Sequence, residues 1–219
     1  MGRGNRNPGC SCCGCPSFTD NFTSLNGSDW QQDAGSWSAS GTLDIGDSNA
    51  KLKFIGSTNF QTTDTTLKVN LSFTNDGDKA RIFTAYSSAT DYIAFEFEGQ
   101  ASHVVARVFQ SVGGTETQLG NDAKFYNRST STAFDIWVSC KLLFDGYHHL
   151  AVTDSDFWQQ DVFDELEWHR SSQHFYVAGL TDNLTWGLGT GDTCAGTISF
   201  DDVEKYGRRN ATVQFDPCP

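Results

Sequence analysis

The run TLKVNLSF at 66–73 alternates without a break. Leu67, Val69, Leu71 and Phe73 fall on one side, Lys68, Asn70 and Ser72 on the other. Period two is the pattern of a strand with one face buried and one face wet. Related runs recur along the chain: SFTDNF (17–22), KLKFIG (51–56), ARIFTAYS (80–87), DYIAFEFEG (91–99), HVVARVFQS (103–111), a buried stretch over 136–140, HHLAVTD (148–154), HFYVAGL (174–180) and GTISFDDVEKYG (196–207). That is roughly a dozen short strands at the spacing of a sandwich. The Asp76–Gly77 pair in TNDGDK predicts a hairpin turn, and VGGTETQLGND (112–122) reads as turn and loop. HHLAVTD is expected to pair with FDIWVSC across FDGY. One segment departs from the pattern. In DVFDELEWHR (161–170), Val162, Phe163 and Leu166 have helical spacing behind Asp161 as N-cap. The same residues read as a strand put Glu165, Glu167 and His169 on one face, and both readings stand.

At 219 residues the chain fits one large all-β domain with a core of its own. The formal net charge of −12 repels phosphate backbones and anionic lipid, so nucleic acid and membrane are not expected partners. Neutral glycans, calcium and protein surfaces remain. MGRGNRNPGCSCCGCP lacks the apolar centre of a secretory signal, and no later run could span a bilayer. The expected location is extracellular or virion-associated.

FTDNF, Trp30 and GSWSASGTLDI (35–45) are followed in order by DYIAFEF, FDIWVSC, a turn, HLAVTD and a closing GTISFDDV. Over residues 17–207 this series resembles the concanavalin A-like lectin/glucanase domains, including laminin G-like modules. The resemblance implies an all-β, two-sheet antiparallel jelly-roll sandwich with one concave sheet. The expected organisation is a Cys-rich N-terminal arm over 1–16 and a jelly-roll domain over 17–219. Glycan or protein binding on the concave face or rim loops is implied, and some members of the superfamily are glucanases.

Retaining hydrolysis needs two carboxyl groups about 5–5.5 Å apart. The resemblance implies a Glu-x-Asp-x-Glu strand for that purpose, and the chain has none. Glu96/Glu98 and Glu165/Glu167 have the i, i+2 spacing that puts two residues on one strand face, but each pair lacks the central Asp. Sugar stacking needs exposed rigid rings. Tyr147, Trp158 and Trp168 lie in polar surroundings and are the candidates; Trp37 and Trp137 follow core spacing, and Trp30 and Trp186 are expected to plug the sandwich ends. Asp76, Asp78, Asp201 and Asp202 cluster oxygen ligands that a structural calcium could use, against the plainer reading of turn residues. His148 and His149 lack an evident third metal ligand and read as a turn.

Seven cysteines remain to be placed. Cys10, Cys12, Cys13 and Cys15 form C-x-C-C-x-C, tighter than the C-x2–4-C spacing of zinc sites, so an oxidised staple or a cross-link between subunits is preferred to zinc. Cys140 is expected to be a buried thiol, and Cys194 and Cys218 to bridge and pin the C-terminus. No cofactor is required. The leading reading is a non-catalytic module for glycan or protein-surface binding. Its alternatives are a structural subunit of a virion, filament or matrix, joined into a homo-oligomer through the arm, and a glucanase-like hydrolase.

Overall fold

The computed structural model describes residues 16–56, 64–126, 128–130, 132–142, 147–154, 173–176, 180 and 184–206. Within them the chain forms strands and no helix. One sheet runs β13 (Gln173–Tyr176), β12 (Tyr147–Asp154), β11 (Phe134–Leu142), β6 (Asp64–Phe73), β15 (Ile198–Tyr206), β4 (Leu43–Ile45) and β3 (Trp37–Ala39), and β1 (Pro16–Asp20) also pairs with β15. The other runs β10 (Thr115–Phe125), β9 (Val104–Val112), β8 (Asp91–Gly99), β7 (Lys79–Ser88), β14 (Thr185–Thr190), β5 (Lys51–Phe54) and β2 (Trp30–Ala34). Every pairing is antiparallel. This is the expected two-sheet sandwich.

The core lies between the sheets, where period two sends one side of each strand inward. Leu67, Val69 and Leu71 of β6 face Ile82 of β7 and Ile93, Phe95 and Phe97 of β8, all fully buried. Each such side chain contributes roughly 1.5–3 kcal/mol by leaving water. Trp30 and Trp186 are part of this core. They form one aromatic cluster with Phe18 and Phe54, in which Phe54 stacks on Trp186 at 4.7 Å and Trp30 meets Trp186 edge-on at 5.0 Å. Asp20 anchors the cluster: its Oδ2 accepts from Trp30 Nε1 at 2.8 Å and its Oδ1 from the backbone N–H of Phe22 at 2.8 Å.

The structure corrects three local expectations. The 74–78 turn is not a hairpin, because β6 and β7 belong to different sheets and the turn crosses between them. Segment 112–122 is not a loop. Gly113 and Gly114 both have positive φ, which suits a two-residue hairpin turn, and β10 follows at the sheet edge with mostly exposed side chains. Its lack of apolar alternation comes from that edge position. Trp137 is not a core residue: it pairs across the sheet with Lys68 on the outer face, while its neighbours Ile136 and Val138 point inward. Trp37 packs against the core while only partly buried, and Cys140 is buried as expected. The β11–β12 pairing is the one expected.

Candidate functional site

Two strands of the seven-stranded sheet, β7 and β8, are buried on both faces. Ile93, Phe95 and Phe97 point into the core, whereas Phe83, Tyr86, Tyr92 and Ala94 form a second, separate apolar cluster on the outer face. Its rings are in contact: Phe83 meets Tyr86 at 5.1 Å and Tyr92 at 5.0 Å, and the two tyrosines lie nearly parallel at 6.0 Å.

The roof over these rings comes from β5. Lys51 and Lys53 sit two residues apart on its outer face and reach toward the tyrosines. Lys51 Nζ lies 4.7 Å from the Tyr92 ring centre and Lys53 Nζ 5.6 Å from that of Tyr86, the geometry of cation–π contact. The strand between is β14, where Gly189 and Gly187 pair with Lys51 and Lys53. A Cβ on Gly187 would stand 2.3 Å from Leu52 O, and one on Gly189 2.6 Å from a Phe83 ring carbon. Both positions therefore require glycine, because a Cβ would collide with the neighbouring backbone or with the Phe83 ring. The Lys51 ammonium donates to Ala89 O at 2.5 Å, and that of Lys53 to Ser87 O at 3.1 Å. Burial lowers the Lys51 pKa, against the opposing pull of Glu116.

Beside the rings runs a chain of charges. Arg81, on β7, bonds Glu96 Oε2 through Nε at 2.8 Å and Nη2 at 2.7 Å, and bonds both oxygens of Glu116 at 2.5 and 3.1 Å. Tyr92 Oη also donates to Glu116. Arg107 holds Glu98 at 2.6 Å and Asp122 at 3.1 Å, with Glu96 Oε1 at 3.7 Å. Tyr86 Oη donates to Asp33 at 2.8 Å. Burial works against the charge on Arg81, yet its two carboxylates outweigh that and raise its pKa. Burial likewise pushes Glu116 up, and Arg81 and Tyr92 bring it below the usual carboxylate range. Burial, reinforced by their carboxylate partners, pushes both tyrosine hydroxyls well up.

Glu96 and Glu98 share this face, as their spacing predicts, but each is held by an arginine and Glu96 is only 2% exposed. The four aspartates do not converge. Asp76 accepts from Thr130 Oγ1 at 2.7 Å. Asp78 is buried and caps the backbone N–H groups of Ala195 and Gly196, tying the 74–78 turn to the 191–197 loop. Asp201 Oδ1 accepts from the N–H of Asp202 at 2.8 Å. Among the described residues no three His, Cys, Asp or Glu side chains form a group that could hold a metal ion. Cys194 is a free thiol that donates to Ile45 O and Gly196 O, and burial pushes its pKa up to about 11. Cys218, the partner expected for it, lies outside the described residues.

The backbones of Tyr147, His148 and His149 lie in β12, so the two histidines occupy a strand and not a turn. Trp158, Glu165, Glu167, Trp168, Cys10, Cys12, Cys13, Cys15 and Cys218 lie outside the described residues, as does the helix-or-strand question over 161–170. Period-two reading missed Arg81, Tyr86, Tyr92, Lys51 and Lys53 as one cluster. A signal was available: ARIFTAYS and DYIAFEF are apolar on both faces, which an ordinary strand with one wet face is not.

No protein-family model matches the chain, and no curated protein matches it. Solved structures do. A carbohydrate-binding module, CBM66, from Bacillus subtilis aligns with a TM-score of 0.54 at 10% identity, over 82% of this chain and 96% of that one. The CBM2 module of the evolved Dit protein of Lactobacillus casei BL23 phage J-1 aligns at 0.51 and 10%, over 87% and 94%. A prokaryotic β-1,3-1,4-glucanase (lichenase) from a mouse hindgut metagenome aligns at 0.50 and 12%, over 86% and 97%. At these identities the likeness is one of fold.

Proposed function

We propose that this chain, a concanavalin A-like jelly roll, is a non-catalytic glycan-binding module whose ligand face is the outer face of the seven-stranded sheet. One observation carries the reading. Of the two carboxylate pairs with the i, i+2 spacing, the one among the described residues is committed to arginines: Arg81 donates twice to one Glu96 oxygen, and Arg107 occupies Glu98. A general acid must present its oxygen to the glycosidic oxygen, and Glu96 has no such freedom. What the face offers instead is two partly exposed lysine ammonium groups over a floor of buried tyrosines, beside a row of carboxylates, and such groups hydrogen-bond to sugar hydroxyls. Two of the solved structures with this fold are named as carbohydrate-binding modules, which supports the reading. Trp158 and Trp168 are proposed as additional ring contacts and Tyr147, which belongs to the other sheet, as a separate one, and the setting is proposed as extracellular.

Electrophoresis through gels cast with separate polysaccharides tests this. Retardation in at least one gel, weakened by Trp158→Ala, is expected, with no reducing sugar released. Release of reducing sugar that disappears in Glu96→Gln would overturn the non-catalytic assignment.

A second reading, a subunit cross-linked through its N-terminal cysteines, is favoured by one pairing. Pro16, which follows Cys15 in the sequence, lies opposite Tyr206, the last strand residue before the stretch that bears Cys218.

A further inference from the structure

The chain carries a net charge of −12, and most cations on the ligand face are matched. Arg81 has Glu96 and Glu116; Arg107 has Glu98 and Asp122. Lys51 and Lys53 differ. Among the described residues neither ammonium has a carboxylate within ion-pair distance; each has one backbone carbonyl and one ring face. The acids nearest them are already engaged. Both oxygens of Asp33 accept, one from Gln31 Nε2 and one from Tyr86 Oη. Both oxygens of Glu116 are bonded by Arg81, and one also by Tyr92. Both lysines are partly exposed, and on a strand their Cα atoms stand about 6.6–6.8 Å apart.

An ammonium has three donors. Here one is used on each lysine, and the remaining donors of two neighbouring cations open onto the same face. In an acidic protein, a pair of lysines held by ring contacts, whose nearest carboxylates, Glu116 and Asp33, already accept other hydrogen bonds, presents its free donors to an external anion. We propose that Lys51 and Lys53 form a subsite for the carboxylate of a uronate-containing glycan. The inference rests on the glycan-binding reading above and narrows its ligand to acidic polysaccharide. It reverses the expectation drawn from net charge, which favours neutral glycans. The long-range field is screened beyond roughly 8–10 Å at physiological salt, so contact with two local ammonium groups decides the recognition.

The test is calorimetric titration of the full chain with oligogalacturonate, a neutral β-glucan oligosaccharide, heparin oligosaccharide and inorganic phosphate, each at low and high salt. Oligogalacturonate is expected to bind, with affinity falling as salt rises. The Lys51→Gln/Lys53→Gln double variant should lose at least tenfold in affinity, and Lys51→Arg/Lys53→Arg, which keeps both charges, should retain most of it. The Arg variant also separates loss of charge from loss of fold, with thermal melting of each variant as control. Neutral glucan binding without oligogalacturonate binding overturns the subsite while the glycan reading stands. No binding of any glycan overturns both. Preference for heparin or phosphate overturns the carboxylate assignment. Unchanged oligogalacturonate affinity in the Gln double variant overturns the assignment to these lysines.

Discussion

Arg81 decides much at the level of single residues. It is 4% exposed, and it holds Glu96, 2% exposed. Removing one partner of a buried ion pair leaves the other charge stranded, at about 3–5 kcal/mol. Arg81→Met is therefore expected to lower unfolding free energy by about that amount in urea denaturation. Arg107, 3.7 Å from Glu96, offsets only part of it. The Arg81→Met/Glu96→Met double variant should be more stable than Arg81→Met alone, since it removes the stranded carboxylate too. Arg81→Lys should recover little, because a point charge cannot bond two carboxylates in the fixed fork geometry of guanidinium. The sequence shows Glu96 and Glu98 on one face through their spacing alone. It does not show their partners, which lie on neighbouring strands and are joined to them only by register.

Among the elements, β15 departs most from its own pattern. Ile198 and Phe200 point inward, and unbroken alternation would send Asp202 and Glu204 after them. The ladder with β6 slips between Asp201 and Glu204, and Asp202 takes φ +44°. A one-residue slip exchanges faces. Val203 turns into the core, Glu204 turns out toward Lys68, and Lys205 turns inward opposite Leu67, where it is 1% exposed. Burial lowers its pKa to about 8. The sign follows from proton counting. Between about 8 and the ordinary value of 10.5 the unfolded chain binds the proton that the folded chain has released, so stability rises with pH there. Below about 8 the folded protein carries the full burden of a buried charge. Thermal melts from pH 7 to 10 should show the wild type gaining on Lys205→Met across this window, with the difference constant below it. A parallel pair of curves would show that Lys205 titrates normally. Most strands, such as β5 and β6, were legible because period two and one apolar face coincide in them. The slip in β15 was not, since it follows from pairing with β6 and from Val203 competing for the core. Likewise β10 was hidden by its place at the edge, where few side chains need be apolar.

For the molecule as a whole, the sandwich was legible from the number and spacing of its strands, but the pairing of its first strand with its last was not. That pairing adds β1 to β15 so that Pro16 faces Tyr206. It bears directly on the cysteines. Cys15 immediately precedes Pro16, and Cys218 follows Tyr206 on the tail. Cys194 is held as a free thiol in the loop before the far end of β15, with its pKa pushed up to about 11 by burial. A thiol kept protonated and half-buried is a slow partner in exchange. Pairing of Cys218 with the N-terminal cluster, or of either with a second molecule, is thus favoured over pairing with Cys194. Four arm cysteines and Cys218 make five, so closure within one chain leaves one thiol over, and an intermolecular bond uses it. Intact mass and light scattering with and without reductant should show a covalent dimer or larger species that reductant returns to monomer, and the Cys10/Cys12/Cys13/Cys15 deletion should stay monomeric. Peptide mapping of the unreduced protein should place Cys218 in a bond to the arm or to a second chain and find Cys194 alkylated only after unfolding. A monomer in both redox states would make the cluster a local staple and leave binding, not assembly, as the role of the domain.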